Sequence, residues 1–117
     1  MIKVIVMVKR NPALTPEAFH RHWREVHARL VADTPSVARR IVRYEQNHRT
    51  EADYSRGEVD FDGVAIAWYR SREDMDALFE DSEYLSIVAP DEARLSDQAR
   101  NVWIVTEEEE VVIDGSP

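Results

Sequence analysis

The sequence predicts an α+β fold: one four-stranded antiparallel sheet and two main helices, in the order β-α-β-β-α-β. Three observations carry this reading. Strand-forming runs occur near residues 2–9, 40–48, 61–70 and 100–106. Apolar residues at helical spacing fill the first and third intervals between them. The length of 117 residues with 44% hydrophobic content suits one domain, expected over residues 1–117, and leaves no room for a second.

The first run, residues 2–9, is β-branched and closed by Arg10-Asn11-Pro12. Ile2, Val4, Val6 and Val8 lie on one face and Ile5 and Met7 on the other, so both faces of the sheet need cover. Thr15-Pro16-Glu17 then reads as a helix start: a capping hydroxyl, a proline suited to the first helical position and an acid at the positive end of the dipole. This helix is expected to run to about Ala32, with Phe19, Trp23, Val26 and Leu30 as its apolar stripe. Arg40 to His48 reads as the second strand. Residues 49–60 are polar, contain Gly57 and read as a long loop, a place where function often resides.

Phe61 to Arg70 reads as the third strand. Ser71-Arg72-Glu73-Asp74 resembles a capping box and starts a second helix through Met75, Leu78 and Phe79. Ser82 restarts a short helical piece, which Pro90 is expected to end. Arg100 to Thr106 reads as the fourth strand, and residues 107–117 as an acidic extension in which Val111 to Ile113 form a short extra strand. This order is the ferredoxin-like split βαβ arrangement. Two helices cover only one sheet face. Ile5, Met7, Val64, Ile66, Trp68, Trp103 and Val105 alternate against other apolar sets, so a two-fold partner is expected to cover the second face.

Composition excludes several classes. The chain has no cysteine, which removes disulfides, thiol nucleophiles and Cys-based metal sites. Its net charge of −8 argues against a nucleic-acid binder. The basic groups that outnumber acids before residue 50 are spread through periodic segments rather than run together. The longest apolar run, Val4 to Val8, is too short to span a bilayer, and no small-residue cleavage site follows it. A soluble, cytoplasmic protein with no membrane partner is expected. No phosphate loop, nucleophile elbow or metal motif is present, so no cofactor or metal is expected.

Four histidines are the first candidates for chemistry. His27 lies on the shoulder of the first helix's apolar stripe, where an imidazole can enter the space between helix and sheet. The competing explanation is a structural histidine bonded to a backbone carbonyl, and helical spacing alone leans towards it. His20 and His22 point to different sides and are expected in solvent, and the three helical histidines cannot close round one metal ion. Tyr44, Gln46 and His48 share one strand face and could hydrogen-bond a polar ligand; a polar strand end leaving the core explains them equally well. Gly63, Ala65 and Ala67 place three small side chains in a row, leaving space above the sheet. Phe19 or Trp23 could fill that space, or it could be a cavity walled by Trp23, Tyr44 and Tyr69. Asp60 and Asp62 read as surface charges.

Val8-Lys9-Arg10, Thr15-Pro16-Glu17-Ala18-Phe19, His22-Trp23 and His27 resemble the opening signature of the EthD-like domain family. Tyr44-Glu45-Gln46-Asn47-His48 and Phe61-Asp62-Gly63-Val64-Ala65 resemble its second and third strands. The resemblance covers roughly residues 2–106, and residues 111–117 fall outside it. It implies a dimeric α+β barrel with a pocket between sheet and helices, and it makes His27 the leading catalytic candidate. Related barrels include muconolactone-type isomerases, polyketide cyclases and dehydratases, and cofactor-free monooxygenases.

The expectation is thus a homodimeric, cofactor-independent cyclase, dehydratase or isomerase acting on a hydrophobic, aromatic or polyketide-like carbonyl compound. His27 would be the general base or acid, and His48 a second proton donor or a hydrogen bond to an enolate oxygen. Phe19, Trp23, Tyr44, Gln46, Tyr54, Ala65, Ala67 and Tyr69 would bind the substrate. The alternatives are a cofactor-free monooxygenase and a non-catalytic, small-molecule-binding accessory dimer.

Overall fold

The computed structural model describes residues 1–116; Pro117, the end of the expected acidic extension, lies outside the described residues. Strand β1 (Ile2–Val8) leads to helix α1 (Pro16–His22), whose first free amides are met as the sequence implies: the Thr15 side chain accepts from the Ala18 N–H. The helix continues through a π segment, Trp23–His27, into α2 (Ala28–Asp33), and Pro35 opens the short α3 (Pro35–Ala38). Strand β2 (Arg43–His48) starts at Arg43 rather than Arg40. The 49–60 stretch is not a plain loop, because Thr50 caps a single helical turn, α4 (Glu51–Tyr54). Strand β3 (Gly63–Tyr69) precedes α5 (Arg72–Glu80), where the Ser71 side chain accepts from the Asp74 N–H. A second π segment, Tyr84–Val88, leads into α6 (Ala89–Leu95), and β4 (Val102–Thr106) completes the sheet.

The four strands form one antiparallel sheet in the order β2-β3-β1-β4, the ferredoxin-like α+β arrangement. Directly paired residues share a face, so register sorts the sheet. Ile2, Val4, Val6 and Val8 pair with Tyr69, Ala67, Ala65 and Gly63. The last three of these pair in turn with Tyr44, Gln46 and His48. All of them face the helices. Trp103 and Val105 pair with Val6 and Val4 and therefore also face the helices, contrary to expectation. The β4 residues of the opposite face are Val102, Ile104 and Thr106, beside Met7, Ile5 and Lys3.

Three further expectations are corrected. Val26 and Leu30 do not belong to the buried stripe: Val26 is 42% exposed, while His27 and Val31 are buried instead. The π segment inserts one residue, which turns the following helix by about 100°. Burial then recurs at Phe19, Trp23, His27 and Val31. Pro90 does not end its helix, which runs to Leu95. The Ala89 amide already bonds back five residues to Tyr84, and a widened turn of this kind accommodates a residue that has no amide proton. Val111 to Ile113 form no strand; Val112 and Ile113 are almost wholly in solvent. No helix among the described residues is long and apolar enough to cross a membrane.

Candidate functional site

A cavity of about 130 Å³ lies between the sheet and the helices. Its floor exists because Ala65 and Ala67 carry so little side chain between Val4 and Val6 on one side and Tyr44 on the other. Gly63, the third small residue of the row, is closed off. A Cβ there would sit 2.6 Å from both the Asn47 carbonyl oxygen and the Trp23 ring. Both readings of the small-residue stripe are thus realised, Trp23 filling one end while the other stays open. Trp23, His27 and Val31 form one wall, and Tyr84, Val88 and Glu92 form another. Gln98 and Trp103 line the cavity yet are exposed, which marks its mouth.

His27 is 5% exposed, and its Nδ1–H donates to Asp91 Oδ2 at 2.9 Å. Asp91, itself 1% exposed, also accepts from His22 Nε2 at 2.7 Å. Burial works to raise the Asp91 carboxyl, but the bonds from His22 and His27 hold it below the ordinary carboxylate range. Burial lowers the His27 pKa, and Asp91 only partly restores it. The ring is therefore neutral at pH 7, with its proton on Nδ1 and a lone pair on Nε2. Among the described residues, every side-chain nitrogen or oxygen wholly shut off from solvent has a hydrogen-bond partner. His27 Nε2 has none within the chain, so it keeps accessible surface, and His27 is one of the residues that line the cavity.

Glu92 follows Asp91 on α6. It accepts the Tyr84 hydroxyl on Oε1 at 2.8 Å, while Oε2 has no partner within the chain. Burial pushes its carboxyl up to about 7, and the neighbouring Asp91 charge pushes the same way. Burial also raises the hydroxyl pKa values of Tyr44, Tyr69 and Tyr84, so all three are hydrogen-bonding phenols at neutral pH.

A separate groove outside the cavity holds a second polar chain. His20 and His48 meet Nδ1 to Nδ1 at 2.7 Å, and His20 Nε2 lies 2.8 Å from the Tyr54 oxygen. The Tyr54 hydroxyl donates to Asp62 Oδ1 at 2.6 Å, and Arg10 pairs with the same carboxylate. Burial, Arg24 and His20 push His48 down to about 4.

Of the expected site residues, His27, Trp23, Tyr44, Ala65, Ala67 and Tyr69 line the cavity. His48 and Tyr54 do not; they line the groove instead. The Gln46 amide is spent on the Trp23 carbonyl at 2.8 Å, and its oxygen lies 3.0 Å from His48. Phe19 is fully buried core packed on Trp23. His20 and His22 are half-buried and hydrogen-bonded rather than free in solvent, because each faces a buried acceptor or phenol. Asp62 is not a surface charge: it is 0% exposed and held by the Arg10 side chain and backbone N–H. Sequence reasoning missed Asp91, Glu92 and Tyr84 as site residues. Their signal was acids at 91 and 92 in register with apolar Val88 and Leu95, hidden by the expectation that Pro90 ends the helix. Among the described residues no group of three or more metal-ligating side chains is assembled.

The family model described as the EthD domain matches residues 11–99. No curated protein sequence matches the chain. Among solved structures, an EthD family protein from Bacillus halodurans is similar at 17% identity and a TM-score of 0.67, covering 93% of this chain and 99% of its own. HapK from Hahella chejuensis is similar at 14% identity and a TM-score of 0.69, covering 99% and 100%. SnoaB from Streptomyces nogalater, described as a cofactor-independent oxygenase, is similar at 13% identity and a TM-score of 0.64, covering 97% of each chain.

Proposed function

The chain belongs to the EthD domain family, and from that premise and the cavity geometry we propose that it is a cofactor-independent enzyme of the cytoplasm. It removes a proton beside the carbonyl of a small hydrophobic, aromatic substrate, leading to cyclisation, dehydration or isomerisation. One observation carries the reading. His27 lines a largely apolar cavity with its Nε2 unbonded within the chain and accessible, while Asp91 holds the proton on Nδ1. That fixes the tautomer a general base needs and stabilises the imidazolium that forms. At about 130 Å³ the cavity is close in size to one of about 150 Å³ that admits benzene, and its mouth at Gln98 and Trp103 is open, which suits a substrate with a single aromatic ring. The Tyr44 and Tyr69 hydroxyls supply hydrogen bonds to an enolate oxygen, the part that His48 is too far outside the cavity to play. The working form is proposed to be a homodimer.

The test is exchange of the α-protons of benzylacetone for deuterium, followed by proton NMR in heavy water. The wild-type protein accelerates exchange, and His27→Ala lowers the rate by about 100-fold or more. Exchange unchanged in that variant removes His27 from the mechanism. The likeness to SnoaB supports a cofactor-free oxygenase as a second reading. Oxygen uptake with an electron-rich phenol would favour it, and a bound molecule recovered unchanged would favour a non-catalytic accessory dimer.

A further inference from the structure

Among the described residues lining the cavity, Glu92 is the only carboxylic acid, and a lone base at His27 leaves it without a task. Its geometry is that of a donor. Tyr84 donates to Oε1 at 2.8 Å, so the carboxyl proton resides on Oε2, the oxygen that has no partner within the chain and keeps accessible surface. Acid and base are tied to one another through the backbone. Asp91 grips His27, and Glu92 is the next residue, its Cα about 3.8 Å further on. Consecutive helix residues point about 100° apart, so Asp91 turns to His27 while Glu92 turns elsewhere, and both His27 and Glu92 line the one cavity of about 130 Å³.

We propose that Glu92 is the proton donor of this site and that the reaction is dehydration of a β-hydroxy carbonyl compound bearing one aromatic ring. The proposal rests on His27 being the base. His27 Nε2 takes the α-proton, and the C–H electron pair becomes the new C=C bond as the β-carbon–oxygen bond breaks. The departing hydroxyl takes the Oε2 proton of Glu92 and leaves as water. His27 is then imidazolium and Glu92 carboxylate; bulk water accepts one proton and returns the other, which restores the starting state. No oxidant or reductant enters. An elimination needs, besides the base, a group that protonates the departing hydroxyl, and a separate neutral acid supplies it. Burial supports the assignment, because it pushes the carboxyl up to about 7 and so keeps a substantial protonated fraction at neutral pH.

The experiment uses two probes, benzylacetone and its β-hydroxy analogue, whose dehydration to benzylideneacetone is followed by absorbance. The wild-type protein exchanges the α-protons of the first and dehydrates the second. Glu92→Gln keeps the Tyr84 acceptor and the volume, and it should dehydrate about 100-fold more slowly while losing far less of its exchange rate, so that the ratio of dehydration to exchange collapses. His27→Ala should lose both reactions. In the wild-type protein, dehydration should also fall as pH rises through about 7 while exchange does not. Dehydration unaffected in Glu92→Gln, a dehydration rate that does not fall at high pH, or a wild-type protein that exchanges without dehydrating would each overturn the proposal and leave the base intact. Absence of exchange in the wild-type protein would instead sink the reading of His27.

Discussion

Glu92 makes folding stability depend on pH with a sign that burial sets. Its carboxyl rises from the ordinary 4.5 to about 7 in the folded state. Below the lower value both states hold the proton and the group is neutral to stability. Between the two, the unfolded chain gives up its proton while the folded chain keeps it, so stability falls as pH rises. Above the folded value the loss is complete, about 3 kcal/mol. Glu92→Gln should remove this slope and unfold at higher urea than wild type at pH 8, with little difference at pH 4; identical urea midpoints at both would refute the burial argument. Gly63 gives a second residue-scale prediction. A Cβ 2.6 Å from a backbone oxygen and from the Trp23 ring cannot be relieved by one flexible side chain, so Gly63→Ala should cost about 1–3 kcal/mol in urea unfolding. At this scale the sequence discloses half the site. The helix histidine and the small-residue stripe are legible because strand alternation and helical spacing place them. The partners of His27 were not, since Asp91 lies 64 positions away and no local period links the two.

At the scale of elements, the order of the four strands and the side-chain caps at Thr15 and Ser71 follow from residue chemistry that is local. By contrast, β2, β3 and β4 start two or three residues later than expected, and the Thr50 cap was not foreseen. What local chemistry conceals is the π segment, because a five-residue turn has the same residue types as a four-residue one and is selected by packing. Phe19, Trp23, His27 and Val31 all reach the core only if one extra residue is absorbed between Trp23 and Val31. Deleting Val26 should therefore be tolerated: the stripe then recurs at four, three and four, the spacing of a regular helix. Deleting Arg29 leaves the π segment in place and turns Val31 away from the core, losing about 1.5–3 kcal/mol of burial. Thermal melts of the two deletions should thus separate clearly. Equal destabilisation would mean that the π segment is not what sets the buried face. The second π segment has the same consequence for function. By carrying the helix past Pro90, it brings Asp91 to His27 and Glu92 to the cavity.

At the scale of the whole molecule, the helices take one sheet face and leave the other. Register puts Ile5, Met7, Val64, Ile66, Trp68, Val102 and Ile104 together on that second face, with Lys3 and Arg43 over the Trp68 ring. Val102 and Ile104 are 50% and 54% exposed in the single chain. A contiguous apolar face of this kind is rare on a monomer, and a self-complementary sheet meeting its copy about a two-fold axis is the economical cover. The proposed homodimer accounts for the two-sided strand pattern that spacing alone makes visible, whereas the partner itself lies beyond any intrachain pattern. Sedimentation equilibrium at low micromolar concentration should give twice the 13.6 kDa of one chain. Ile66→Asp, which aims a charge from the third strand into this face, should shift the equilibrium to the single chain while the helix-side cavity and its His27–Asp91 bond persist. A wild-type chain that sediments alone would mean that the face is covered by something other than its own copy. A dimer indifferent to the aspartate would place the interface elsewhere, on the exposed β4 edge or the helices.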